Sequence, residues 1–196
     1  MRVLAIAHRT PRTAAGCARL ADLGVSVFEV DVQFLAGVPV VSHYLPLLGW
    51  LPRLRHDRWH VTLRARAKAE EDLSAVVDRV PAGAAVLVDL KSEGSAAELV
   101  ALLRASARPP EGWYVSGKDP AALAVVAAAG YRTWLSLSTR PAFSGALAGR
   151  LPAGLDAVTV RHTYLDRSAV QRLAAHGPRV LAWTVQQRWR DRKSVV

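Results

Sequence analysis

The sequence predicts an α/β fold, a (β/α)8 barrel of the TIM type that lacks its last strand and helix. Short β-branched runs alternate with alanine- and leucine-rich stretches of helical period, a pattern typical of repeated βα units around a parallel sheet. A doubly wound sheet satisfies the same alternation, but no glycine-rich phosphate loop follows the first run. The barrel is favoured because polar residues gather where barrels place their active sites, at the carboxyl ends of the strands. These residues are His8, Glu29, Asp31, Asp89, Lys91, Ser116 and Trp183.

The strands and helices can be placed in order along the chain. Strands are predicted at residues 3–7, 25–32, 85–90, 112–116, 132–137, 157–160 and 180–185. Helices are predicted at residues 13–23, 65–80, 95–107, 120–129, 142–150 and 168–176. The fourth helix has a clear start, because Asp119 can cap it and a proline occupies its first position. After the second strand, an Ala-Gly pair predicts a tight return that brings His43 back toward the end of that strand.

Length and composition predict one domain. The chain has 196 residues, 51% of them hydrophobic, and its single cysteine, Cys17, excludes a disulfide framework. We therefore expect residues 1–196 to form one incomplete barrel domain, with an irregular excursion at about residues 44–64 beside the mouth. The N-terminus does not resemble a secretory signal, and no run reaches the ~18 apolar residues of a spanning helix. These features predict a cytoplasmic protein.

The net charge of +10 favours anionic partners. Lysine and arginine number 26 against 16 acidic residues, but they are scattered and form no nucleic-acid-binding module. Nucleic acid is therefore not expected as a partner. An arginine-rich composition explains the charge equally well, and an anionic membrane surface remains open as a partner.

Glu29 and Asp31 raise the question of a metal site. They are two residues apart in a predicted strand, so they share a face, where their charges repel each other. Asp89 ends the next parallel strand and is expected to lie beside them. Three carboxylates suit a hard divalent cation, Mg²⁺ or Ca²⁺, better than zinc. The alternative is a structural network in which the Glu-x-Asp pair binds arginines.

Histidines and basic residues accompany the carboxylates. His8 and His43 suit acid/base chemistry because imidazole titrates near neutral pH. Arg9 and Lys91 suit the binding of a phosphate. A histidine at a strand end is more often an ordinary polar residue, so the prediction of a site depends on all these groups converging at one mouth.

Taken in order, the motifs of these strands resemble those of the glycerophosphodiester phosphodiesterases. The motifs are IAHR, FEVDV, VPVVSHY, VLVDLK, YVSGKDPAAL and VLAWTVQ. This resemblance implies a (β/α)8 barrel that hydrolyses glycerophosphodiesters to glycerol 3-phosphate and an alcohol with a divalent cation. It implies metal ligation by Glu29, Asp31 and Asp89, acid/base catalysis by His8 and His43, and substrate binding by Arg9, Lys91 and Trp183.

Several positions depart from the pattern of that family. Thr10 and Tyr44 replace a glycine and an aspartate, Gln186 replaces an asparagine, and Asp89 is one methylene shorter than the usual glutamate. The absent eighth strand predicts open barrel edges and self-association through them. These departures favour an alternative, a catalytically degenerate barrel that acts as a binding or scaffold protein. The basic charge and the excursion rich in Trp and Leu favour another, a lysophospholipid phosphodiesterase.

Overall fold

Eight strands form one sheet in the part of the chain that this computed structural model describes, residues 4–35, 37–41, 73–91 and 95–183. They are β1 Ile6–Ala7, β2 Val27–Leu35, β3 Val38–Val41, β4 Ala85–Leu90, β5 Trp113–Gly117, β6 Arg132–Leu137, β7 Ala157–Arg161 and β8 Arg179–Trp183. Seven of them pair in parallel in the order β1-β2-β4-β5-β6-β7-β8, and β3 pairs antiparallel with β2. The predicted parallel sheet and the predicted return after the second strand are confirmed.

Six helices surround this sheet in the described residues. They are α1 Ala14–Asp22, α2 Leu73–Arg79, α3 Ala96–Ala105, α4 Pro120–Ala128, α5 Arg140–Leu147 and α6 Arg167–Ala175. Two short 3-10 helices, Pro110–Gly112 and His162–Tyr164, lie in connections. The predicted start of α5 was wrong by two residues, because Thr139 caps the helix by accepting the Ala142 N–H, with a proline in the first turn. The first part of the helix predicted at residues 65–80 lies outside the described residues.

Alternation along the strands separates two apolar layers. Phe28, Val30 and Val32 of β2 pack with helix residues such as Cys17, so this layer lies between sheet and helices. The other face of the strands forms the barrel interior, where the buried residues are Val27, Leu87, Tyr114, Trp134 and Ala157. Because side chains two apart share a face of a strand, the inner face of β2 continues from Val27 to Glu29 and Asp31. The same rule places Asp89 and Ser116 on the inner face.

Parallel strands end together, and this determines where the polar residues meet. The pairing of β2 with β4 sets Asp31 opposite Asp89, and the pairing of β4 with β5 sets Asp89 opposite Ser116. All three lie near the carboxyl end of the parallel ladder, which in β2 stops at Val32, and this is the edge at which barrels place their active sites. His43, Tyr44, Gln186 and the excursion at about residues 44–64 lie outside the described residues. None of the described helices has the length and apolar character needed to cross a membrane.

Candidate active site

Three carboxylates converge at the inner carboxyl edge of the sheet. Glu29 and Asp31 come from β2 and Asp89 from β4, and one oxygen of each lies within 4.8 Å of the others. Glu29 and Asp31 are both 5% exposed, so two acidic side chains on one strand are buried next to each other. A cluster of this kind needs positive charge, protons or hydrogen-bond donors to compensate it.

Glu29 responds to the cluster through its pKa. Burial and the neighbouring Asp31 carboxylate raise the pKa of Glu29 to about 8, and the backbone N–H of Arg9 opposes that rise. This N–H donates to Oε2 of Glu29 at 2.8 Å. In the absence of a cation, Glu29 therefore holds a proton near neutral pH.

Lys91 compensates the other two carboxylates. Its Nζ lies 2.7 Å from Oδ1 of Asp31 and also contacts Oδ2 of Asp89. Burial alone would lower the pKa of Lys91, but the Asp89 and Asp31 carboxylates outweigh burial and raise it. The ammonium group thus stays charged between two of the three acidic side chains.

Arg9 and Thr10, which follow β1, form hydrogen bonds to Glu29. Both the backbone N–H and the hydroxyl of Thr10 donate to the Glu29 carbonyl at 2.9 Å. Within the described residues, Arg9 is the one non-glycine residue with positive φ, at 65°. The left-handed conformation of this turn therefore falls on Arg9, and the threonine that replaces a glycine at position 10 carries no such strain. His8 and Arg9 are exposed beside Glu29.

Ser116 holds Asp89 in place. Its hydroxyl donates to Oδ1 of Asp89 at 2.9 Å, and the side chain is 4% exposed. The sequence placed Ser116 at the carboxyl end of its strand but did not predict this hydrogen bond. The signal was available in the period-2 pattern of β5, which puts Ser116 on the same face as the interior residue Tyr114.

An arginine that the sequence analysis missed lies across the mouth, beside Trp183. Arg161 ends β7 and pairs in register with Trp183, which ends β8. The guanidinium carbon of Arg161 lies 5.7 Å from the centroid of the Trp183 ring. Counting by two from the interior residue Ala157 reaches Arg161, and this alternation is the signal that could have identified it.

The donor set and its spacing fit a hard cation. All three donors are carboxylate oxygens, which calcium binds at about 2.3–2.6 Å and magnesium at about 2.0–2.1 Å. Oxygens on opposite sides of a calcium ion are therefore about 5 Å apart, which accommodates the 4.8 Å limit of this cluster. Asp89 reaches the cluster although it is shorter than a glutamate.

Comparison with known proteins places this geometry in context. No protein-family model and no curated protein matches the chain. In contrast, 33 chains of solved structures match its fold. A candidate glycerophosphoryl diester phosphodiesterase from Silicibacter pomeroyi superposes with a TM-score of 0.70 at 21% identity, covering 98% of this chain and 86% of that chain. The chain has the fold of these phosphodiesterases.

Two further phosphodiesterase structures have this fold. The glycerophosphodiester phosphodiesterase of Thermotoga maritima has a TM-score of 0.68 at 16% identity, covering 98% of this chain and 91% of its own. An Oleispira antarctica phosphodiesterase in complex with the product sn-glycerol-3-phosphate has a TM-score of 0.62 at 19% identity, covering 94% and 85%. The predicted barrel fold and the predicted resemblance to this group are confirmed.

Within this phosphodiesterase fold, most of the predicted site residues lie at one edge of the sheet. The carboxylates of Glu29, Asp31 and Asp89 form one cluster. Lys91 contacts two of them, Asp31 and Asp89. His8 and Arg9 lie next to Glu29 at the end of β1, and Trp183 lies at the end of β8. His43 lies outside the described residues. Among the described residues, the arrangement offers an oxygen site for a cation, the basic side chains of Arg9, Lys91 and Arg161, and the histidine His8 at the same edge of the sheet.

Proposed function

We propose that this protein hydrolyses glycerophosphodiesters to glycerol 3-phosphate and an alcohol. The observation that carries the proposal is the convergence of Glu29, Asp31 and Asp89 at the carboxyl edge of the barrel strands. This edge is where barrel enzymes bind their substrates. Further support comes from the shared fold, since one structure of that fold holds sn-glycerol-3-phosphate.

In this proposal Glu29, Asp31 and Asp89 hold a divalent cation, Ca²⁺ or Mg²⁺. Such a cation neutralises charge that develops on phosphoryl oxygens. Lys91 and Arg9 bind the phosphate anion from the protein side, because both are basic and lie at the same edge as the carboxylates. Trp183 forms part of the wall of the site. Ser116 positions Asp89 through its hydrogen bond.

The chemistry consists of two displacements at phosphorus. The glycerol hydroxyl next to the phosphate attacks, the bond to the alcohol oxygen breaks, and a cyclic phosphodiester forms. Water then opens this ring to give glycerol 3-phosphate. His8 is exposed at the end of β1 beside Glu29, where it can move a proton to or from the reacting oxygens. In our proposal His43 is the second such group, so that one histidine accepts the proton of the attacking hydroxyl and the other protonates the leaving alcohol.

The direct test measures release of glycerol 3-phosphate from glycerophosphoglycerol by the purified protein with Ca²⁺ or Mg²⁺. We expect release that depends on the cation and that falls by about 10²–10⁴-fold in H8A, the range expected for loss of one acid/base group. The matched control is H176A, because His176 lies at the far end of α6. Absence of release above a buffer blank by soluble, folded protein would refute the proposal.

The ligand set is tested separately from turnover. We expect E29Q to weaken cation binding, measured by calorimetry, as well as activity. If the affinity for calcium were unchanged in E29Q while activity fell, Glu29 would not be a ligand and its role would be limited to the substrate.

A second candidate function is a barrel that binds but does not catalyse. The contact of Lys91 with Asp31 and Asp89 favours it, because an ammonium group already pairs with two of the three carboxylates. Thermal unfolding distinguishes the two candidates, since a cation that binds only the folded state must raise the melting temperature. No shift at millimolar Ca²⁺ and Mg²⁺ would favour the non-catalytic barrel.

A further inference from the structure

Arginines lie beside aromatic rings at two places near the carboxyl edge of the sheet. Arg161, at the end of β7, lies with its guanidinium carbon 5.7 Å from the Trp183 ring centroid. Arg140, the first residue of α5, lies 5.7 Å from the ring centroid of Tyr164, in the 3-10 helix that follows β7. Both distances are within the ~6 Å range of cation–π contact. Each of these rings therefore already faces a positive charge.

The same part of the edge is positively charged overall. An exposed basic residue lies at or after the end of each of three successive strands. Lys118 follows β5, Arg140 begins the helix after β6, and Arg161 is the last residue of β7. The acidic residues in these connections serve the helices that follow, since Asp119 and Asp166 accept backbone N–H groups in the first turns of α4 and α6. Their negative charge is thus directed at the helix N-termini.

Glycerophosphodiesters differ in the charge of the alcohol that leaves. A quaternary ammonium alcohol such as choline binds in proteins on open aromatic faces or against carboxylates. Here Trp183 lies beside a guanidinium group, the Tyr164 ring packs against Phe143 on the helix side of the sheet, and Lys91 contacts both Asp31 and Asp89. A cationic alcohol at this mouth would meet charges of its own sign, whereas a neutral or anionic alcohol would not.

We propose that the site selects glycerophosphodiesters whose leaving alcohol is neutral or anionic. Arg161 is the specificity-determining residue, because its guanidinium group lies over the indole ring that a quaternary ammonium would otherwise use. This inference rests on the proposed hydrolytic function and adds the class of substrate to it.

The test compares two substrates that differ only in charge. One is glycerophosphocholine, and the other is its neutral isostere, the 3,3-dimethylbutyl ester of glycerol phosphate, in which carbon replaces the ammonium nitrogen. We expect the wild-type kcat/KM to be about tenfold higher for the isostere than for glycerophosphocholine. Repulsion between like charges at a partly exposed site has an effect of about this size. In R161Q this ratio should fall toward one, and in R161K, which keeps the charge, it should stay high. R104Q removes an exposed arginine from α3 and should leave both rates unchanged.

The outcomes separate the two proposals. Turnover of both esters at equal kcat/KM by the wild type, or the same ratio in R161Q as in the wild type, would overturn the role of Arg161 while leaving hydrolysis intact. If folded, cation-loaded protein released no glycerol 3-phosphate from either ester, the proposed function would fail and the specificity with it. Melting temperatures of R161Q and R161K show whether either variant has lost its fold.

Discussion

The ammonium group of Lys91 lies 2.7 Å from a carboxylate oxygen of Asp31 and also contacts Asp89. Two of the three carboxylates of β2 and β4 thus share one positively charged group that belongs to the chain itself. A divalent ion held by Glu29, Asp31 and Asp89 would draw on the same two side chains. Lys91 and such an ion therefore share Asp31 and Asp89 as partners, and each stabilises the negative charge that the other would otherwise leave uncompensated.

Removal of Lys91 should make the stability of the fold depend on Ca²⁺. In K91M, Asp31 and Asp89 lose their shared partner, and the metal-free protein should be less stable by about 1–3 kcal/mol, below the usual cost of breaking a buried pair because the Lys91 side chain is 30% exposed. Millimolar Ca²⁺ should restore most of this loss, since it neutralises the same carboxylates. Urea unfolding with and without Ca²⁺ measures both quantities.

The matched control for this experiment is K118M. Lys118 follows the end of β5 and is exposed, so its removal takes the same charge from the same edge of the barrel. K118M should change stability little, with or without Ca²⁺. An equal loss in K91M at both calcium concentrations would show that Lys91 and the ion do not share ligands.

The hydroxyl of Ser116 should affect cation binding more than it affects stability. In S116A, Asp89 loses the donor at 2.9 Å that holds its Oδ1, and loss of such a supporting hydrogen bond typically lowers metal affinity about 10–100-fold. The free energy of unfolding should fall by only about 1 kcal/mol. Calcium titration by calorimetry gives the affinity, and S136A, on the next strand, serves as the control because it should bind calcium as the wild type does.

Glu29 should make the metal-free protein less stable as pH rises. The pKa of Glu29 in the folded protein is about 8, above its ordinary value of 4.5, so between these values the folded state holds a proton that the unfolded chain releases. The stabilising contribution is fully present below pH 4.5 and is lost as pH rises through about 8. Urea unfolding across this range measures the slope, which should be shallower in E29Q.

Calcium should abolish this dependence of stability on pH. The ion replaces the proton on Glu29, so its apparent affinity should increase with pH until Glu29 is fully ionised. Saturating calcium should then remove the fall in stability toward alkaline pH. If E29Q and the wild type had the same slope in the absence of calcium, another group would be responsible for the pH dependence.

Much of the site could be predicted because it follows from strand geometry. Period 2 fixes Glu29 and Asp31 on one face of β2 whatever surrounds them. Parallel pairing brings the end of β4, with Asp89, to the same edge. The register that sets Asp31 opposite Asp89 was not available from local sequence, because it is decided by packing between segments more than fifty residues apart.

Other features could not be predicted because they depend on which of several nearby groups each side chain contacts. The sequence indicated Lys91 as a ligand for phosphate, and nothing in the local sequence shows that the same ammonium group also contacts Asp31 and Asp89. Arg161 stands at the end of a short strand, where alternation from Ala157 gives its face but not the ring that it meets. That partner became clear only from the pairing of Arg161 with Trp183.

The two fully buried tryptophans of β5 and β6 should respond differently to the same substitution. Trp113 is 1% exposed and its Nε1 donates to the Arg108 carbonyl at 3.3 Å, whereas Trp134 is 0% exposed and its Nε1 has no hydrogen-bond partner among the described residues. Replacement by phenylalanine removes a similar volume at both sites. It breaks a hydrogen bond in W113F but removes an unsatisfied donor in W134F.

We therefore expect W113F to cost about 1 kcal/mol more in the free energy of unfolding than W134F. The difference should not come from the lost ring contact, because a phenylalanine at position 134 can still pack against Tyr114, whose ring centroid lies 4.5 Å from that of Trp134. The Trp113 bond also anchors Arg108, whose guanidinium group donates to carbonyls at the end of α2, including that of Val80 at 3.0 Å. Urea unfolding of the two variants measures the difference, and a larger loss in W134F would mean that a donor at that position is satisfied in solution.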